Sequence, residues 1–164
     1  PKRPTIVVGQ PTTMDKSRAP AGQSILWIQL QENPRIIMGD LAGEIDPGDG
    51  SWNQLRLNAY ADRVLAQLGE QISNLHSATL AKVVLGPVQI EAMNANLVGG
   101  DPYSGDCRID QYAVWRPLSN AAGHRTPIKG LWHIGASTHP GPGLGGGSGY
   151  LVAKRLLSKK FYQK

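Results

Sequence analysis

Four histidines, one serine set among glycines and a dense run of glycine are the residues of this sequence whose types and spacing bear on chemistry. His76, His124, His133 and His139 never fall at a metal-ligand spacing on one expected helix, and no carboxylate pair accompanies them, so no metal site is expected. Ser148 stands in Gly146-Gly147-Ser148-Gly149-Tyr150, which lacks the second glycine of a nucleophile elbow and so argues against a hydrolase. His133 alternates within an apolar run and reads as a packed core residue. His139 lies in the loop that follows, where it could face a bound ligand. No residue is singled out as catalytic.

The stronger signal is the order strand, small-residue loop, helix between Leu131 and Leu157. The apolar run Leu131-Trp132-His133-Ile134 is entered through the turn residues Thr126 to Gly130 and reads as a buried strand. It leads into Gly135 to Gly149, most of it glycine, proline and small polar residues, and then into Tyr150 to Leu157, where Val152, Ala153, Leu156 and Leu157 have helical spacing. A helix beginning near Leu144 would have its first turns filled with glycine, each interior one costing about 0.5 to 1 kcal/mol relative to alanine. Close approach of another group to the backbone would offset that cost. A bare helix N-terminus offers unpaired N–H groups and the positive end of the dipole to an anionic or electron-rich ligand. A flexible loop or a close helix–helix contact explains the glycines equally well on pattern alone. Gly141-x-Gly143-x-x-Gly146 also has the spacing of a dinucleotide fingerprint. It does not follow a strand directly, and no acidic residue lies about 20 positions further on, so a Rossmann start is rejected.

Several elements must position this segment. Thr5 to Gly9 and Gln23 to Gln29 are β-branched or apolar runs, expected to pair as antiparallel strands around the loop Asp15 to Gly22. Glu32 to Gly50 is polar and turn-rich and reads as an exposed connection. Ser51-Trp52-Asn53-Gln54 has the spacing of a capping box, so a helix should start there. Leu57, Ala61, Val64, Leu68, Ile72 and Leu75 then form one apolar stripe. Such a helix would run for roughly 20 residues and about 30 Å. Thr79 to Leu85 suggests a third strand, and Val88 to Asn96 a short helix with Pro87 at its first position. From Gly99 to Gly130 the chain reads mainly as loop, of a length often used for binding.

Composition bounds the answer. A chain of 164 residues, 40% hydrophobic, is long enough for one globular domain or two half-domains. The formal net charge is +5, but the basic residues are scattered apart from Lys154, Arg155, Lys159, Lys160 and Lys164. Those fit the C-terminal end of a helix dipole, and no aromatic residues interleave with them, so no nucleic-acid partner is expected. The single cysteine, Cys107, excludes an intrachain disulfide framework and agrees with a reducing, cytoplasmic setting. No run of 18 apolar residues and no charged-then-apolar leader is visible, and Pro1 in place of Met is a hint of a fragment.

Gly130-Leu131-Trp132-His133-Ile134-Gly135-Ala136-Ser137-Thr138-His139-Pro140-Gly141, with the glycine-rich helix start behind it, resembles the C-terminal flavin-binding motif of the phytoene desaturase-like FAD-dependent oxidoreductases, in the flavin amine oxidase superfamily. The resemblance extends through Arg116-Pro117 and Arg125-Thr126-Pro127-Ile128, and more loosely through Asp15 to Gly22. It implies an α+β chain: a substrate-side antiparallel or mixed sheet with helices over residues 1–110, and over 111–164 the C-terminal strand and helix of an FAD-binding Rossmann-like domain. In that family an N-terminal βαβ unit binds the ADP half of FAD and the C-terminal motif closes over the flavin half. The resemblance places Gly135 and Ala136 beside the diphosphate and ribityl chain. Gly143, Leu144, Gly145 and Gly146 would turn the helix N-terminus to the pyrimidine edge of the flavin, favouring its reduced form.

No N-terminal dinucleotide-binding fingerprint occurs in the 164 residues. The resemblance therefore implies the C-terminal part of a dehydrogenase- or desaturase-like enzyme, incomplete as a catalyst alone. The missing half would come from a longer chain or a partner polypeptide. A small hydrophobic substrate is expected, and a peripheral membrane contact is compatible with it. The competing expectations are a non-catalytic interaction module derived from the same family and a basic nucleic-acid binder.

Overall fold

The computed structural model describes residues 1–118, 123–142 and 146–158. The chain is mixed α/β and divides into two compact units, residues 1–89 and 90–164.

In the first unit, strands β1 (Ile6–Gly9) and β2 (Trp27–Leu30) form a two-stranded antiparallel sheet. The register pairs Ile6 with Leu30 and Val8 with Ile28, and Ile6, Ile28 and Leu30 pack on the core. The antiparallel pairing agrees with the expectation from sequence, whereas the second strand starts later than Gln23. Gly9 ends β1 opposite Trp27, and the chain then turns at Pro11, so Gln23 to Leu26 have no ladder to join. Thr79 to Leu85 also forms no strand, because no described segment pairs with it, and Leu80 and Val83 point into solvent.

Helix α1 (Gln54–Gly69) supplies the buried face of this unit through Leu57, Tyr60 and Val64. Its N-cap is Asn53, whose side-chain oxygen accepts the Arg56 N–H at 3.0 Å. The capping box expected at Ser51 and Gln54 is absent: the Ser51 hydroxyl donates to Asp49 at 2.7 Å and the Gln54 amide to Asn58 at 3.0 Å. The helix stops at Gly69, a poor helix former, and is about 24 Å long. Leu75 continues the stripe from a separate turn, α2 (Leu75–Ala78). Helix α3 (Pro87–Met93) starts on its proline, as expected.

Trp52, Leu57, Tyr60 and Val64 form the core, with Ile37, Ile45, Leu68 and Val84 packed against it. The connection from 32 to 50 is thus less exposed than its composition suggests. The Trp52 indole donates to the Pro34 carbonyl at 2.8 Å. Gly50 has a φ of +78°, and a Cβ there would lie 2.8 Å from an Ile36 methyl and 3.0 Å from the Ile37 carbonyl, so glycine is required. Asp40 caps the same loop, accepting the N–H groups of Ala42, Glu44 and Ile45 at 3.0–3.2 Å and the Arg63 guanidinium at 2.8–3.0 Å.

The second unit is mostly loop with short 3-10 turns at Val98–Gly100, Ile109–Gln111 and Ala113–Trp115. The strand expected at Leu131 to Ile134 reduces to an isolated antiparallel bridge between Arg125 and Trp132. With one pairing and no further neighbours, Leu131 and Ile134 stay half exposed, and His133 is exposed rather than packed in a core. Helix α4 (Gly147–Leu157) follows, with Gly146 as its N-cap in the left-handed conformation, φ +59°, and Ser148 and Val152 buried. No helix among the described residues is long and apolar enough to cross a membrane.

Candidate functional site

The loop from Gly135 to Gly141 connects the Arg125–Trp132 bridge to the start of α4, and buried polar side chains hold it from beneath. Thr138 has no exposed surface. Its backbone N–H and its hydroxyl both donate to the Gly135 carbonyl, at 3.1 and 2.9 Å. The Gly135 N–H donates to the Ser148 hydroxyl at 3.1 Å, so the first turn of α4 is tied to the loop. Ser148 and Thr138 hydroxyls lie 2.6 Å apart, and because Thr138 spends its proton on Gly135, Ser148 donates to Thr138.

His124, also buried, closes this lattice. Its Nδ1 is 3.2 Å from the His133 carbonyl and 3.3 Å from Ser148 Oγ. A carbonyl only accepts, so the network assigns the proton to Nδ1. A ring protonated there cannot take the proton of Ser148, and Ser148 is therefore a structural hydroxyl and not an activated nucleophile. His124 Nε2 and His139 Nδ1 are buried without a hydrogen-bond partner, on rings whose centroids are 6.4 Å apart. The His133 Nε2 lies 3.2 Å from the Ser137 hydroxyl.

Arg116 is 2% exposed, and each of its N–H donors is used on backbone. Nε donates to Ala136 O at 2.7 Å, Nη1 to Asp106 O and Gln111 O at 3.0 and 2.9 Å, and Nη2 to Tyr103 O and Ser104 O at 2.7 and 3.1 Å. No carboxylate among the described residues forms an ion pair with it. A buried charge costs several kcal/mol unless its hydrogen bonds are satisfied, and five carbonyls satisfy this one. The guanidinium thereby gathers the 103–111 loop under Ala136.

Of the sites expected from sequence, Gly135 has φ +116° and open space where a Cβ would be, and Ala136 is half-buried with its carbonyl on Arg116. Gly146 is left-handed and likewise open. Gly143, Leu144 and Gly145 lie outside the described residues. At Gly147 a Cβ would lie 3.1 Å from Pro140 Cγ, and at Gly149 3.9 Å from Ile134, so protein contacts account for part of the glycine content. Arg116, Thr138, Ser148 and His124 are the residues that pattern alone did not assign to the lattice. Their signal was polar residues in an otherwise small and apolar stretch. Among the described residues no group of three or more His, Cys, Asp or Glu could hold a metal.

No family profile matches the chain. Curated proteins do match it. A phytoene desaturase (lycopene-forming) of a Paracoccus species is 28% identical over 157 residues, covering 94% of this chain and 28% of the relative. A limonene dehydrogenase polypeptide of Castellaniella defragrans is 33% identical over 111 residues, covering 67% of this chain and 20% of the relative. The chain is a relative of the phytoene desaturase-like FAD-dependent oxidoreductases. The mouse pyridine nucleotide-disulfide oxidoreductase domain-containing protein 2 belongs to the same set of matches, 28% identical over 148 residues, covering 90% of this chain and 24% of the relative. The chain spans between 20% and 28% of the length of these curated relatives. In a phytoene desaturase-like protein, the loop held by Arg116 and Thr138 is the segment that carries the flavin motif of the resemblance.

Proposed function

We propose that this chain is the C-terminal part of an FAD-dependent oxidoreductase of dehydrogenase or desaturase type and forms one wall of its cofactor site. The observation that carries the reading is the Gly135–Gly141 loop, which joins the family motif to a rigid polar support and keeps open space above Gly135 and Gly146. The residues fit a dinucleotide flavin. Beside that open space, two buried imidazole nitrogens, His124 Nε2 and His139 Nδ1, have no protein partner. Gly135 and Ala136 would hold the diphosphate and ribityl chain, and Gly143 to Gly146 would set the N-terminal end of α4 toward the flavin ring. When bound, the flavin supplies two-electron oxidation chemistry. The chain's own residues bind and orient it, and the helix dipole favours negative charge at the ring edge.

Two relatives are named for limonene and phytoene, both hydrocarbons, which favours a hydrophobic substrate. The short coverage of the relatives and the exposed Leu131, Ile134 and Tyr150 favour a missing N-terminal half that completes the site, either in one longer chain or as a partner. Mixing the chain with that half and FAD should shift and sharpen the visible flavin absorbance. An unchanged spectrum of free FAD would instead leave the interaction-module reading.

A further inference from the structure

The buried guanidinium of Arg116 does more than fill space beneath the loop. In a trans peptide the C=O and N–H of one plane point in opposite directions. The Ala136 carbonyl is drawn to Arg116 Nε at 2.7 Å, so the N–H of Ser137, on the same peptide, points away from Arg116. The Gly135 carbonyl is held by Thr138 N and Oγ1 at 3.1 and 2.9 Å, so the Ala136 N–H points away from Thr138. Neither N–H has a partner among the described residues. Two successive N–H groups whose carbonyls are fastened on the other side form the backbone arrangement that binds anions. Arg116 adds a fixed positive charge below them. With all five donors on carbonyls, it cannot itself reach the anion.

We propose that Arg116 is a positioning residue that aims the Ser137 and Ala136 N–H groups at the diphosphate of a dinucleotide flavin and offsets its charge from beneath the loop. This rests on the flavin reading above. The role assigned to Arg116 concerns the anion and not the ring, and that distinction makes it testable.

Arg116→Met and Arg116→Lys are made in the chain combined with its N-terminal half, and Kd is measured for FAD and for riboflavin, which carries no phosphate. Arg116→Met should weaken FAD by at least about tenfold while riboflavin changes by less than about threefold, as expected for loss of charge-assisted contacts to an anion. Arg116→Lys keeps the charge but has three donors for five carbonyls, and should recover part of the loss. Amide hydrogen exchange at Ala136 and Ser137 should be slowed by FAD in the parent protein and not in Arg116→Met. Unchanged FAD affinity in a variant with native circular dichroism overturns the proposal, and so does an equal loss for FAD and riboflavin. If Arg116→Met does not fold, the FAD-to-riboflavin ratio of Arg116→Lys decides in the same way. A parent protein that takes up no flavin sinks the underlying reading, and this one with it.

Discussion

Thr138 offers one hydroxyl to two partners, accepting from Ser148 and donating to Gly135, in a place closed to solvent. Replacing it by valine keeps the shape and leaves the Ser148 hydroxyl without an acceptor. The expected cost is about 1–3 kcal/mol, the desolvation penalty of a stranded buried group, and urea unfolding of Thr138→Val checks it. Asp40 in the first unit is the comparable case for a charge. The hydrogen bonds from Arg63, with those from the Ala42, Glu44 and Ile45 amides, hold its carboxyl well below the usual carboxylate range. A carboxyl depressed in the folded state stabilises the fold above its unfolded pKa, and that contribution is lost as pH falls through the ordinary range toward the folded value. Asp40→Asn should therefore flatten the acid limb of the stability profile below about pH 5. At neutral pH its cost should approach the roughly 3–5 kcal/mol of breaking a buried pair, lessened because Glu44 stays 3.3 Å from Arg63. Thermal melts of the two proteins from neutral to acid pH measure both effects, and parallel profiles would refute the assignment.

At the scale of elements, α4 shows why its glycines are not equivalent. Gly149→Ala places a methyl in ordinary contact with Ile134 and should stabilise the helix by about 0.5–1 kcal/mol. Gly147→Ala has the same propensity gain but drives a methyl to 3.1 Å from Pro140 Cγ, so it should gain less or lose stability. Equal stabilisation of the two variants in denaturant unfolding would contradict this account of the loop–helix contact. The elements legible in sequence were those with a strong local signal: the Leu57, Val64, Leu68 stripe of α1, Pro87 at the start of α3, and the antiparallel pairing of β1 with β2. Those misread depended on partners far along the chain. Leu131 to Ile134 has the composition of a buried strand, but burial requires flanking strands that these residues lack. The Ser51 capping box failed because Asp49 and Arg56 compete for Ser51, leaving Asn53 to cap the helix. Arg116 was visible only as part of a motif, since nothing local reveals that five carbonyls from 103 to 136 converge on it.

For the whole molecule, small cores, a two-stranded sheet and many exposed large apolar side chains describe a surface suited to cover by further protein. Trp27, at 61% exposure beside exposed Leu26, belongs to that surface in the first unit, as Leu131 and Ile134 do in the second. Kinship with phytoene desaturase-like oxidoreductases, over about a quarter of their length, gives this surface a reason: a cofactor wall is useful only with its opposite wall in place. The most direct measurement is the flavin content of the purified complex between this chain and the N-terminal half, after gel filtration with excess FAD. Equimolar flavin co-eluting with the complex is the predicted result. A stable complex that elutes colourless would contradict the account.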